Sequence, residues 1–248
     1  MKEKVVAVLY GFACHAVFML AVVVMAHSLF WGLSNSFAPI GGSYGRLINL
    51  LLLVQFPIIH SALLTDKGRH FLSRMAPFGL GRDLTTTIFS LIASLQLLAV
   101  FLFWTPSQQI WYLPKGWPYV FSLTLYCAAW AFLIKALHDA GLALQSGFLG
   151  WGSVVRGRKP QYGSFPRKGL FRNCRQPVYL GFLLVLVFAP VWTLDHLIML
   201  SLWGAYCFFG PKLKERRFLK WYGNGFKEYQ ENVPYFLPSI SACKTRRS

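Results

Sequence analysis

Apolar residues in this chain fall in long unbroken blocks, at about 5–33, 46–64, 86–104, 117–137, 178–193 and 196–210. A helix that crosses a bilayer needs about 20 mostly apolar residues, and the first four blocks reach or approach that length. The last two are shorter. Pro190 interrupts the first of them, and little more than Thr193-Leu194-Asp195 separates the pair, which predicts a tight, tilted or kinked helical hairpin. The expected fold is an all-α integral membrane protein with about six transmembrane helices. It forms one membrane domain over 1–248: four N-terminal spans to residue 137, a loop over 138–177, the hairpin over 178–210 and a tail over 211–248.

Charge placement tests this layout independently. Lys2 and Lys4 precede the first block, and Lys67, Arg69, Arg74 and Arg82 lie between the second and third. Arg156, Arg158, Lys159, Arg167, Lys168, Arg172 and Arg175 lie between the fourth and fifth, and the tail from Lys212 to Arg247 adds more. The alternate loops hold almost nothing basic beyond Arg46 and Lys115. Cytoplasmic loops carry the excess of Lys and Arg, so both termini are expected in the cytoplasm, which requires an even number of spans. The first block exceeds the apolar core of a signal peptide and lacks a small-x-small cleavage site, so it is expected to stay as an anchor.

Composition agrees with the pattern. The 248 residues are 55% hydrophobic and 13% charged, with a net charge of +17. On a chain of apolar blocks, that charge suits anionic lipid headgroups, and no reading domain or zinc spacing points to nucleic acid. Of five cysteines, Cys14, Cys127 and Cys207 fall in apolar blocks, and Cys174 and Cys243 in basic segments expected to face a reducing cytoplasm. Neither a disulfide framework nor a structural metal site is expected. Trp104, Trp111, Tyr112, Trp117 and Tyr119 bracket one loop as an aromatic belt at the outer interface. In the tail, Phe218, Tyr222, Phe226 and Tyr229 recur at near-helical spacing among Lys and Arg. This predicts a cytoplasmic amphipathic helix at the interface, weakened by Gly223 and Gly225.

The last third carries the candidate chemistry. Arg175-Gln176-Pro177-Val178-Tyr179-Leu180-Gly181 opens the hairpin, followed by Lys214-Glu215-Arg216-Arg217 and by Gly223, Phe226, Tyr229 and Val233-Pro234. Taken alone, Arg and Pro before an apolar helix only mark its cytoplasmic start. The whole order, however, resembles the isoprenylcysteine carboxyl methyltransferase superfamily, whose signature is Arg-His-Pro-x-Tyr-x-Gly followed by Glu-Glu. Gln55-Phe56-Pro57-Ile58-Ile59-His60-Ser61, Trp104 to Pro106, Phe132-Leu133-Ile134 and Trp192 to Leu197 are similar to a bacterial branch. That branch holds the methanethiol S-methyltransferases and NnrU-like membrane proteins.

The resemblance implies an inner-membrane methyltransferase that uses S-adenosylmethionine on a small or lipophilic acceptor, most plausibly a thiol. It implies that Arg175 clamps the cofactor carboxylate, Tyr179 contacts its adenosine or amino-acid part, Gly181 allows close backbone approach and Glu215 accepts from its amine or ribose. Two positions depart from the signature. Gln176 replaces the family His and keeps one hydrogen-bonding edge without a base or charge. Lys214 replaces the first Glu, a full charge reversal that would repel a cofactor ammonium. His60 sits mid-helix among apolar residues, where a polar side chain is costly. It is a candidate to orient a thiol acceptor, to ligate haem (for which His15 and His27 in the first block are further candidates), or simply to hydrogen-bond between helices. Two other readings therefore stay open: a non-catalytic relative serving as a subunit or assembly partner of a membrane complex, and a haem-dependent isomerase-like protein.

Overall fold

A computed structural model describes residues 1–42 and 44–237; Cys243 and the basic residues after position 237 lie outside the described residues. The chain forms α1 (Lys2–Phe30), α2 (Gly45–Leu63), α3 (Asp66–Leu72), α4 (Gly81–Leu102), β1 (Ile110–Tyr112), α5 (Trp117–Asp139), α6 (Leu142–Gln145), α7 (Phe148–Val155), a 3-10 turn (Gly169–Arg172), α8 (Pro177–Val187), β2 (Trp192–Thr193), α9 (Leu194–Tyr222) and α10 (Asn224–Asn232). Four of these, α1, α2, α4 and α5, are long and apolar enough to cross a membrane. They match the first four predicted blocks closely, and the protein is an α-helical membrane protein.

The C-terminal third departs from the expected boundaries. Helix α8 has only 11 residues, about 16 Å at 1.5 Å per residue, so it cannot span a core of about 30 Å alone. It stops before Pro190, whose ring disfavours helical backbone in the residue ahead of it. The next helix does not end at 210 but runs 29 residues, with Pro211 inside it; the proline removes one ladder bond without ending the helix. The expected tail helix breaks instead at Gly223, which has φ 51° and separates α9 from α10. The basic loop is also less polar than expected, because its α7 segment is buried at Gly150, Gly152 and Val154.

The described residues group into two compact units. The first holds 1–114, 142–163 and 190–199. Within it α1 packs along α4, and α7 packs on both. Ala7, Leu72, Leu84 and Ile88 form its core with Trp151 against them. Because lipid offers no hydrogen bonds, several polar side chains here pair with one another or with backbone. Asn49 Nδ2 donates to the Thr105 carbonyl at 2.7 Å, and the Thr105 amide donates back to Asn49 Oδ1 at 2.9 Å. Gln96 Nε2 donates to Gln55 Oε1 at 2.7 Å. Thr87 Oγ1 donates to the Gly147 carbonyl at 2.7 Å and accepts from the Trp151 amide at 3.0 Å, which fixes the start of α7. Trp104 is buried here, 1% exposed, and is not part of an interfacial belt; Trp111, Tyr112, Trp117 and Tyr119 are exposed. Strands β1 and β2 form a short antiparallel ladder that the sequence pattern does not announce, with Ile110 opposite Thr193.

The second unit holds 115–141, 164–189 and 200–237 of the described chain. Its axis is α5 against α8. The two approach closely at Gly181, where a Cβ would stand 2.9 Å from Leu133 Cα. The close-approach glycine of the motif is thus spent on helix packing.

Thr87→Val should keep the volume while orphaning two buried backbone groups. The expected loss is about 1–3 kcal/mol, read as a lower melting temperature of the detergent-solubilised protein. Gly181→Val should cost about 1–3 kcal/mol by overpacking, and Gly41→Ala, in open space and without a left-handed backbone, offers a control.

Candidate functional site

The site is built where three pieces of the second unit meet: the turn before α8, the middle of α9 and the end of α10. Pro177 starts α8 because its missing N–H is not needed there. That leaves Arg175 and Gln176 on the turn itself. The Arg175 amide donates to the Pro234 carbonyl at 2.9 Å, which pins the turn to the segment after α10. The Arg175 guanidinium then does two things. Its Nε donates to Glu215 Oε1 at 3.0 Å. Its Nη1 donates to the Gln230 carbonyl and, at 3.1 Å, to the Val233 carbonyl, so a cation caps the carbonyl end of α10.

Glu215 is 7% exposed and receives three hydrogen bonds. Besides Arg175, Gln176 Nε2 donates to Oε1 at 2.6 Å and Gln230 Nε2 donates to Oε2 at 2.7 Å. A buried ion pair is tolerated when its remaining lone pairs are satisfied, and here both oxygens are. Gln176, 1% exposed, is locked by this bond with its amide nitrogen towards Glu215. Its Oε1 is buried without a hydrogen-bond partner among the described residues.

Lys214 behaves differently from its neighbour. Its Nζ lies 5.3 Å from the Tyr179 ring centroid and 5.8 Å from that of Phe218. It makes no hydrogen bond or ion pair among the described residues. Arg175, Gln176 and Lys214 line one crevice with Phe165, Phe218 and Tyr229, and its free space of about 10 Å³ is little more than one water. Phe165 closes it, with ring centroids 5.0 Å from those of Tyr222 and Phe226. The aromatic stripe of the tail is therefore covered by this ring inside the unit. Arg167 holds the closing segment, stacking 4.3 Å from the Phe165 centroid and donating to the Gly225 carbonyl at 3.0 Å.

Desolvation dominates the acid–base behaviour here. Burial pushes the Lys214 ammonium down to about 8, aided by Arg217 and opposed by Glu215. Burial pushes the Cys174 thiol up. Cys174 Sγ donates to the Phe236 carbonyl at 2.8 Å, so it is a structural thiol and not a thiolate nucleophile.

Of the residues singled out in the sequence, Arg175, Gln176 and Glu215 form one network, and Tyr179 and Lys214 stack beside it. Gly181 faces Leu133. His60 belongs to the first unit, between the rings of Phe56 and Phe89 at 5.0 and 4.9 Å. His15 Nδ1 donates to the Gly11 carbonyl of its own helix at 2.9 Å, and His27 packs on Phe37. Gln230 and Phe165 went unrecognised in the sequence. Gln230 sits in a charged helix, and Phe165 is one aromatic in an otherwise exposed loop.

The Lys214 shift has a sign that can be tested. The folded group releases its proton near pH 8 while the unfolded one holds it to about 10.4. Burial of this cation therefore destabilises the fold below pH 8, and the penalty fades as pH rises from 8 to about 10.4. Lys214→Met should stabilise the protein at pH 7 by about 1 kcal/mol, after discounting for partial exposure, and the gain should shrink by pH 10 in parallel melting curves.

No protein-family model matches the chain, and no solved structure matches it. Curated relatives do. Methanethiol S-methyltransferase 1 of Bradyrhizobium diazoefficiens is 26% identical over 251 residues, covering 95% of this chain and 83% of its own length. Methanethiol S-methyltransferase of Pseudomonas deceptionensis is 26% identical over 195 residues, 78% of this chain and 73% of that one. The protein of that name from Mycobacterium tuberculosis is 25% identical over 250 residues, 95% of this chain and 97% of its own. The likeness to methanethiol S-methyltransferases extends over most of the chain and not over one motif alone.

Proposed function

We propose that this protein is a membrane-embedded methyltransferase that moves a methyl group from S-adenosylmethionine to a small thiol, methanethiol or a close analogue. The observation that carries this reading is the likeness along 95% of the chain to a protein named for that reaction. The convergence of Arg175, Gln176 and Glu215 around one buried carboxylate adds to it.

The residues present fit such a methyl donor. An unpaired buried amide oxygen on Gln176 and an uncommitted ammonium on Lys214 are groups that a zwitterionic ligand head satisfies. Aromatic faces at Phe165, Tyr179 and Phe218 suit a cationic sulfur. When bound, S-adenosylmethionine supplies an electrophilic methyl on that sulfur; an attacking thiolate gains the new C–S bond and S-adenosylhomocysteine leaves. The protein's own residues position and polarise. Glu215 fixes Gln176, and Arg175 fixes Glu215 and the end of α10 together. Lys214, Arg216 and Arg217 place positive charge near the turn, which favours a thiolate over a thiol. Arg175 thus acts here as a positioning residue, since its Nε and Nη1 are already engaged within the protein.

The basic segments support a topology with both termini on the cytoplasmic side of a bacterial inner membrane and anionic headgroups against the loops. The four long helices give an even count. Helix α8 and the first part of α9 add a hairpin that returns to its starting face, which makes six passes if both cross and keeps the termini together in either case.

Calorimetric titration of the detergent-purified protein with S-adenosylhomocysteine tests this reading. Binding in the micromolar range is expected. Glu215→Gln should weaken it at least tenfold, because it strips Arg175 of its buried counter-ion. A folded wild-type protein that binds no S-adenosylhomocysteine would contradict it.

A further inference from the structure

Two polar groups of opposite kind, the buried Gln176 Oε1 and the partly buried Lys214 Nζ, are left over around this crevice once the bonds of Arg175 and Glu215 are assigned. Glu215 has both oxygens engaged, and Arg175 has Nε and Nη1 engaged. Gln176 Oε1, on a side chain 1% exposed, accepts from nothing among the described residues. Lys214 Nζ donates to nothing among the described residues and rests over two aromatic rings. Both residues line the same crevice.

Such leftovers are not neutral. A buried carbonyl without a donor forfeits a hydrogen bond, and a desolvated ammonium without an anion is held at a penalty. Native folds keep groups of this kind where a ligand completes them. The pair has a direction as well. The Gln176 amide cannot flip to offer nitrogen, because Nε2 is held 2.6 Å from a carboxylate oxygen, so the crevice presents an acceptor at Gln176 and a cation at Lys214. An acceptor and a cation in one pocket complement an ammonium and a carboxylate in one ligand, the arrangement of an α-amino acid.

We infer that Lys214 and Gln176 Oε1 are the recognition groups for the α-amino-acid head of the methyl donor, Lys214 taking its carboxylate and Gln176 its ammonium. This rests on the methyltransferase reading above and specifies its contacts. The charge reversal at 214 is then a relocated clamp: the Arg175 guanidinium is tied to Glu215, and Lys214 supplies the positive charge. Phe165 must swing aside for the head to enter, since the crevice as it stands holds about one water.

The test compares two probes: S-adenosylhomocysteine, and 5′-methylthioadenosine, which keeps the nucleoside and thioether but lacks the amino-acid head. Each is titrated against wild type, Lys214→Met and Gln176→Leu. Wild type should prefer S-adenosylhomocysteine. Lys214→Met should weaken S-adenosylhomocysteine ten- to hundredfold and leave 5′-methylthioadenosine within twofold, Gln176→Leu should lower the same preference, and Lys214→Arg should restore most of it. Unchanged S-adenosylhomocysteine affinity in Lys214→Met would overturn the assignment while leaving the methyltransferase reading intact. Equal loss of both probes would also overturn it, by making Lys214 a scaffold residue. A wild type that binds neither probe would overturn both.

Discussion

A carboxylate taken out of water must be given hydrogen bonds, and Glu215 is given three by residues from the turn before α8 and from α10. The second unit depends on this one group. Arg175 joins it to the carbonyl end of α10, Gln230 joins it to the same helix from the side, and Gln176 is oriented by it. Take the charge away and Arg175 becomes a largely buried cation without a counter-ion, so three elements lose their common anchor at once. The network also decides what is left for a ligand: Arg175 and Glu215 largely satisfy each other, and Gln176 Oε1 and Lys214 remain.

In the first unit the constraint comes from lipid. With no water to satisfy polar groups at membrane depth, Asn49, Gln55, Thr87 and Gln96 find partners on neighbouring helices or on the loops that follow them. Gln55, which lies in the stretch resembling the bacterial branch, is engaged by Gln96 in this way. Asp195 likewise accepts from both the amide and the hydroxyl of Ser107, tying the start of α9 to the loop that precedes β1.

Hydropathy alone made the four long helices legible, because a block of about 20 apolar residues has few alternatives. It failed where helix length is decided by packing or by single residues. The end of α8 before Pro190, the passage of α9 through Pro211 and the break at Gly223 each depend on local backbone geometry that a block average hides. The candidate site was legible as a set of residues and not as a set of roles. Arg175, Gln176 and Glu215 were picked out together, but that the Arg175 guanidinium donates to the Glu215 carboxylate is visible only in the fold around it. Gln230 and Phe165 carry no sequence signal of their own; each matters because of what it lies against.

The most direct measurement is product formation. Detergent-purified protein, supplied with S-adenosylmethionine and methanethiol, should release dimethyl sulfide into the headspace in one-to-one proportion with S-adenosylhomocysteine. Arg175→Lys, which cannot bridge Glu215 and the end of α10 at the same time, should reduce that rate at least tenfold. A folded wild-type protein that releases no dimethyl sulfide, or an Arg175→Lys variant as fast as wild type, would contradict the account.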